Sequence, residues 1–243
     1  MCITVGAAAS PGAAPAGIVA DAQQRSVLAD ADASSGLEFN TESKGNQAPG
    51  FDAYTDNAAA EGHTLDADAV SSADQMSMIS SVEITGTGST SASGDLRADG
   101  LAFAEGDSFL EVLFQVDAPG SYLFSGMLDA SGSDGVGQAT SELLDFTTEE
   151  TLASFSVDNG ESEDFSSEFI LETGVEYVIV ASATSTTEIP EAGSGMAMSS
   201  YTVSLEFLPE PSADLLFASA LATLFGPVFV RSRRRHLSLN PRF

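Results

Sequence analysis

Residues 108–116 read SFLEVLFQV. Leu110, Val112, Phe114 and Val116 fall on one phase, and Glu111 and Gln115 on the other. Alternation with a period of two is the mark of a half-buried strand. The same phase repeats outward from this stretch. Tyr122, Phe124 and Leu128 share a face in SYLFSGMLDA, and Phe165, Phe169 and Leu171 share one in FSSEFILE. Tyr177, Ile179 and Ala181 follow, then Tyr201, Val203, Leu205 and Phe207. Thr151–Val157 and Met76–Ile84 also read as strands. SELLDFTTEETLASF, residues 141–155, is open to a helix but is read as strand. Turn chemistry separates the runs: APGS at 118–121, DASGSDG at 129–135, DNGESED at 158–164 and LETG at 171–174. Short, evenly spaced strands with such turns predict an all-β, antiparallel β-sandwich or jelly roll. Roughly seven to nine strands are expected over residues 76–207, with Phe114, Phe124, Phe169, Ile179 and Val203 in the core.

The charge is one-sided, with 36 acids against 8 Lys+Arg in 243 residues and a formal net charge of −28. Between residues 23 and 208 the basic residues are Arg25, Lys44 and Arg97 alone. A body of this charge repels nucleic acid and anionic membrane, and it suits a salty or cation-rich milieu. Cys2 is the single cysteine, so no internal disulfide forms. With only His63 and His236 beside it, no Cys/His zinc site assembles. Residues 23–75, rich in Ala, Asp, Ser and Gly, read as a loosely ordered, low-complexity acidic lead-in.

No phosphate loop, dinucleotide fingerprint, nucleophile elbow or zincin motif occurs. GTGSTSASG, residues 86–94, lacks the lysine of a phosphate loop and reads as an edge loop. His63 reads as a solvated side chain. Paired carboxylates discriminate nothing in a chain this acidic, and the chain is expected not to be an enzyme. Calcium takes several carboxylate and carbonyl oxygens on flexible loops. Asp158, Asn159, Glu161, Glu163 and Asp164 are the candidate ligands, against the reading of a solvated hairpin tip without metal. Sugar binding usually uses exposed aromatic platforms. There is no Trp, Tyr122, Tyr177 and Tyr201 lie on the apolar phase, and Tyr54 alone reads as free.

The C-terminal stretch follows a different logic. Pro209-Glu210-Pro211 precedes a run without charge from Leu215 to Val230, and Arg231, Arg233, Arg234 and Arg235 follow. About 16 residues span ~24 Å as a helix, short for a bilayer core of roughly 30 Å. The arginines mark the cytoplasmic side and leave the body outside. This order resembles the PEP-CTERM protein-sorting signal over residues 208–236. The resemblance implies export, anchoring by a single C-terminal transmembrane helix, and processing near the triplet by an exosortase-type enzyme. Pro209, Glu210 and Pro211 map onto the sorting motif and the arginines onto the basic stop. Asp214 at the mouth of the helix and the trailing residues 237–243 depart from the pattern.

Residues 1–22 read as the remnant of a signal peptide, with Ala20-Asp21-Ala22 as a small-x-small cleavage site. Residues 76–207 then form the sandwich domain, followed by the sorting signal at 208–236. Two functions are expected of this body. The first is a non-catalytic, exported surface or matrix-associated protein. The second is a calcium-dependent module binding carbohydrate or exopolysaccharide.

Overall fold

The computed structural model describes residues 17–48 and 50–209. Twelve strands account for nearly all of them: β1 (Ile18–Ser35), β2 (Glu38–Gln47), β3 (Tyr54–His63), β4 (Ala67–Ile79), β5 (Glu83–Leu96), β6 (Gly100–Val116), β7 (Gly120–Ser133), β8 (Gly135–Asp145), β9 (Glu150–Asp158), β10 (Glu161–Leu171), β11 (Tyr177–Ile189) and β12 (Gly193–Leu208). They form two six-stranded sheets, ordered β2-β1-β6-β11-β8-β9 and β10-β7-β12-β5-β4-β3, with every pair antiparallel. Strands β5 to β12 pair as β5·β12, β6·β11, β7·β10 and β8·β9. That nested pairing, alternating between the sheets, is the connectivity of a jelly roll. Strands β1 and β2 widen the first sheet on its β6 side, and β4 and β3 widen the second on its β5 side.

Several expectations need correction. The transmembrane helix expected over Leu215–Val230 lies outside the described residues. Among the described residues there is no helix, so none is long and apolar enough to cross a membrane. Residues 23–75 are not a loose lead-in, because they hold most of β1, all of β2 and β3 and much of β4. Alanine and serine there line a buried face, and composition alone does not distinguish that face from a coil. Residues 76–84 are not one strand. The chain turns at Ser80, whose N–H donates to the Glu83 carbonyl at 2.9 Å. GTGSTSASG is not an edge loop but the middle of β5, which lies between β12 and β4. A Cβ on Gly86 would run into Leu110, and one on Gly88 into Tyr201. Glycine here clears space for large side chains of the opposite sheet and the neighbouring strand.

The core changes character along one strand. On β6, Ala102 and Ala104 give way to Gly106 and Ser108, then to Leu110, Val112, Phe114 and Val116. The large residues join Ile84, Tyr122, Phe124, Leu128, Ile179 and Leu205 in one cluster. The alanines join Val27, Ala29, Ala31, Ala60, Ala69 and Ala92 in another. Of the expected core residues, Phe114, Phe124, Ile179 and Val203 are buried. Phe169 is only partly covered, while its neighbour Phe165 is buried and stacks on Phe155 with ring centroids 4.3 Å apart. Each fully buried Phe or Leu contributes roughly 1.5–3 kcal/mol.

Between the two clusters the sheets are stitched by side chains bonded to the facing backbone. Ser108 donates to the Asp74 carbonyl at 3.0 Å, and Gln75 donates back to Phe109 at 2.9 Å. Ser199 donates to Thr184 at 2.8 Å, Ser185 to Thr90 at 3.3 Å and Thr187 to Ala92 at 3.2 Å. Such short side chains reach the opposite backbone only where the sheets lie well inside the usual ~10 Å separation. The glycines agree, since a Cβ on Gly106 would sit 2.6 Å from the Ser72 carbonyl across the gap. Gly106→Ala should therefore cost about 1–3 kcal/mol through overpacking. Chemical denaturation of the variant checks this, with Ser89→Ala on the exposed outer face as a control expected within about 0.5 kcal/mol of the parent.

Candidate functional site

The outward phase of the second sheet reads differently from the rest of the surface. On β5 it is Thr85, Thr87, Ser89, Ser91 and Ser93, closed by Glu83 and Asp95. On β12 it is Met196, Met198, Ser200, Thr202 and Ser204. On β4 it is Val70, Ser72, Asp74, Met76 and Met78, and β7 adds Ser125, Met127 and Asp129. The register sets these side by side: Met76 faces Thr87, Ser91 faces both Ser72 and Met198, and Thr87 faces Thr202. The Ser72 and Ser91 hydroxyls bond at 2.9 Å. In a chain of net charge −28, the middle of this face carries only Asp74 and Asp129.

The methionines are its most unusual feature. The chain has six, and every one beyond Met1 lies on this face and is exposed: Met76, Met78, Met127, Met196 and Met198. Methionine ordinarily fills core gaps, and its exposure in numbers marks adaptable binding surfaces. Three shallow depressions lie along the same face. One of about 300 Å³ is lined by Asp56, Asn57, Asp74, Met76 and Ser89. A second of about 300 Å³ adjoins it, between Met76, Met78, Thr85 and Thr87. A third of about 380 Å³, at the other end, is lined by Val70, Ser93, Ser194 and Met196, with Asp68 and Asp95 at its rim. Alternation with polar neighbours would have placed these methionines inside. The inward residues of β4 are Ala67, Ala69, Ser71, Ala73, Gln75 and Ser77, mostly smaller than those facing out.

Beside the third depression is a small charged cluster. Arg97 pairs with Asp68 at 2.8 Å and with Asp95 at 3.2 Å. His63 meets Asp68 at 2.9 Å and Glu61 at 3.4 Å, and these hydrogen bonds raise its pKa. The outer face of the first sheet gathers three acids at its centre. Asp30 lies directly opposite Glu105, and Asp107 follows two residues along. Burial, then Asp107 and Asp30, raise the Glu105 pKa above the usual carboxylate range. A raised acid pKa lowers stability as pH climbs through the unfolded value towards the folded one, and the penalty is complete above both. Glu105→Gln should therefore raise stability by about 0.5 kcal/mol at pH 7 and have little effect at pH 4, a contrast read from paired thermal melts.

The outward phase of β4, β5, β7 and β12 in the second sheet carries no aromatic platform. Tyr122, Tyr177 and Tyr201 are buried as expected, and burial pushes Tyr122 and Tyr201 up to about 12. Tyr54, expected to be free, is buried as well. The guanidinium of Arg25 lies over its ring, 5.5 Å from the centroid. Arg25 is fully buried and donates to Gln23 Oε1 at 2.8 Å, to Ser77 Oγ at 3.2 Å and to the Gly50 carbonyl.

The calcium candidates occupy the β9–β10 connection and diverge there. Gly160, at φ 82°, makes the turn. Asn159 turns back onto the body, accepting from the Gly137 N–H at 2.6 Å. Asp158 accepts from Gln138 at 3.1 Å, and its own N–H donates to Glu161. Glu163 and Asp164 follow on β10 and point to opposite sides of the strand. Among the described residues no three His, Cys, Asp or Glu side chains are grouped to hold a metal. Of the sorting residues, Pro209 directly follows β12, whereas Glu210, Pro211, Arg231, Arg233, Arg234 and Arg235 lie outside the described residues.

No protein-family model matches this chain, and no curated protein matches it. Solved structures similar to it include the following two. One, described as "CBM4 structure and function", is 14% identical over 48% of this chain and 75% of its own, with a TM-score of 0.25. The other is the enzymatically active domain of bacteriophage CBA120 tailspike protein 4, 17% identical over 55% of this chain and 19% of its own, with a TM-score of 0.21. Likenesses of this size carry no conclusion about what this chain binds.

Proposed function

We propose that this chain is a non-catalytic binding module of the cell exterior, with the outer face of the second sheet taking an uncharged, extended polysaccharide. The observation that carries the reading is the gathering of all five internal methionines, exposed, on one outer face whose centre carries only Asp74 and Asp129. Serine and threonine hydroxyls both donate and accept, which matches the hydroxyls of a neutral sugar. Thioethers supply soft apolar contact for the C–H faces of sugar rings. Few ionised groups lie in the middle of the face, so little charge is desolvated on binding. The body's negative charge disfavours anionic polymers. Without an aromatic platform, affinity arises from many weak contacts along a chain.

The C-terminal tail supports the exterior placement. Its Pro209-Glu210-Pro211 triplet and arginine cluster resemble an exosortase-processed sorting signal. Replacing the triplet by alanines should leave the native protein unprocessed at its C-terminus. Intact-mass measurement in a host with an exosortase checks this, and identical C-termini with and without the triplet would refute the sorting reading.

Binding is tested by affinity electrophoresis in gels containing a neutral glucan or an anionic polysaccharide. Retardation is expected in the neutral gel alone. The variant Met76→Ala, Met196→Ala, Met198→Ala should lose most of it while melting close to the parent, since exposed substitutions cost about 0.5 kcal/mol or less each. Equal retardation of parent and variant would move the binding site elsewhere. Retention only by protein partners would replace the ligand class.

A further inference from the structure

We propose that the five thioethers on the outer face of the second sheet are a modification site for peroxide oxidants, and that their conversion to sulfoxides releases bound sugar without loosening the fold. The effect on binding rests on the function proposed above. The site itself follows from where the oxidisable side chains lie. Thiols and thioethers are the side chains that peroxide attacks. The chain's single cysteine, Cys2, lies outside the described residues, and there is no tryptophan. The four tyrosines, Tyr54, Tyr122, Tyr177 and Tyr201, are all buried. Neither core cluster contains a methionine. Met76, Met78, Met127, Met196 and Met198 are instead between 42% and 57% exposed. Among the described residues, an oxidant therefore finds sulfur on this face alone.

The register decides what a sulfoxide does there. Met76 lies opposite Thr87 and Thr55, Met78 opposite Thr85, and Met127 opposite Thr202. Met196 lies between Ser93 and Ser133, and Met198 between Ser91 and Ser131. Each methionine thus has a hydroxyl-bearing residue directly across the ladder, with Cβ atoms about 5 Å apart. A thioether is a weak acceptor, whereas a sulfoxide is polar and its oxygen accepts readily. Oxidation changes two recognition groups at once. The apolar contact is lost, and the neighbouring hydroxyl gains a nearer acceptor than a sugar. Met76 and Met78 line one depression and Met196 another, so the change falls where the face is concave. The sulfurs project outward from β4, β7 and β12, and the two core clusters lie on the opposite side of those strands. In each step the peroxide O–O bond breaks and an S–O bond forms. The sulfur is oxidised, the peroxide is reduced, and water leaves.

The full chain is treated with hydrogen peroxide and followed by peptide mapping, thermal melting and electrophoresis in the neutral-glucan gel. One added oxygen on each of the five methionines is expected, with a melting temperature within a few degrees of the untreated protein and loss of most of the retardation. Methionine sulfoxide reductases with dithiothreitol should restore it, each oxygen leaving as water while two thiols close to a disulfide. The variant Met76→Leu, Met196→Leu, Met198→Leu keeps apolar contact without sulfur at the depressions, and its retardation should survive peroxide. Sulfoxides that form only after unfolding, or a melting temperature that collapses on oxidation, would overturn the modification site. Retardation that persists in the oxidised parent, or is lost equally by the leucine variant, would overturn the release. An untreated parent that is not retarded would remove the binding reading and the release with it, while mapping and melting still decide the site.

Discussion

The close approach of the two sheets is the constraint on which the rest of this structure depends. Over the half of the sandwich lined by Ala29, Ala31, Ala60, Ala69, Ala92, Ala102 and Ala104, little apolar area is available per residue. Burial alone stabilises such a face weakly. Short side chains compensate by letting Ser108, Thr187, Ser185, Ser199 and Gln75 bond directly to the opposite backbone. Each such bond contributes about 0.5–1.5 kcal/mol, and each would be costly to leave unmade in a buried seam. The remaining driving force is concentrated at the other end, where Phe114, Tyr122, Phe124, Leu143, Ile179 and Leu205 pack as an ordinary core.

This division explains where the methionines go. An inner face at close spacing has no room for a long side chain, so β4 turns Ala, Ser and Gln inward and Met76 and Met78 outward. The same holds on β12, where Gly195, Ala197 and Ser199 point in and Met196 and Met198 point out. The outer face of the second sheet thus gains apolar, flexible side chains among hydroxyls. The first sheet's outer face keeps its acids, with Asp30, Glu105 and Asp107 close together.

Arg25 shows how the added strands close the fold. It is the one fully buried cation among the described residues, and its partners are neutral oxygens and the ring of Tyr54. Burial lowers its pKa, though a guanidinium keeps its charge. Gln23, Ser77, Gly50 and Tyr54 come from β1, β4, the β2–β3 connection and the start of β3, so one side chain ties together the segments that extend the jelly roll. The edge strand β2 is exposed and, Phe39 apart, polar, with Lys44 and Gly45 on it, which discourages pairing with another chain.

The alternation of Leu110, Val112, Phe114 and Val116 was enough to announce an antiparallel sandwich, and its echoes at Phe124, Ile179 and Val203 placed most of the core. Those residues are large, so the cost of exposing them sets the strand phase locally. The twelve-strand extent, the central place of GTGSTSASG, the burial of Tyr54 and the membership of Ile18 in the core were not legible. Alanine, serine and glycine carry almost no phase signal, because their transfer free energies differ little between the two faces. Which face they occupy is decided by how closely the opposite sheet approaches. That distance is a property of two strands far apart in sequence, such as β4 and β6. For the same reason Asp158, Asn159, Glu161, Glu163 and Asp164, adjacent in sequence, diverge in space. Sequence by itself determined the all-β sandwich class of the body, the charge and the absence of a catalytic motif, since each depends on residue type and local spacing. Tertiary structure decided which small residues face inward, and by exclusion which surface was left to the methionines.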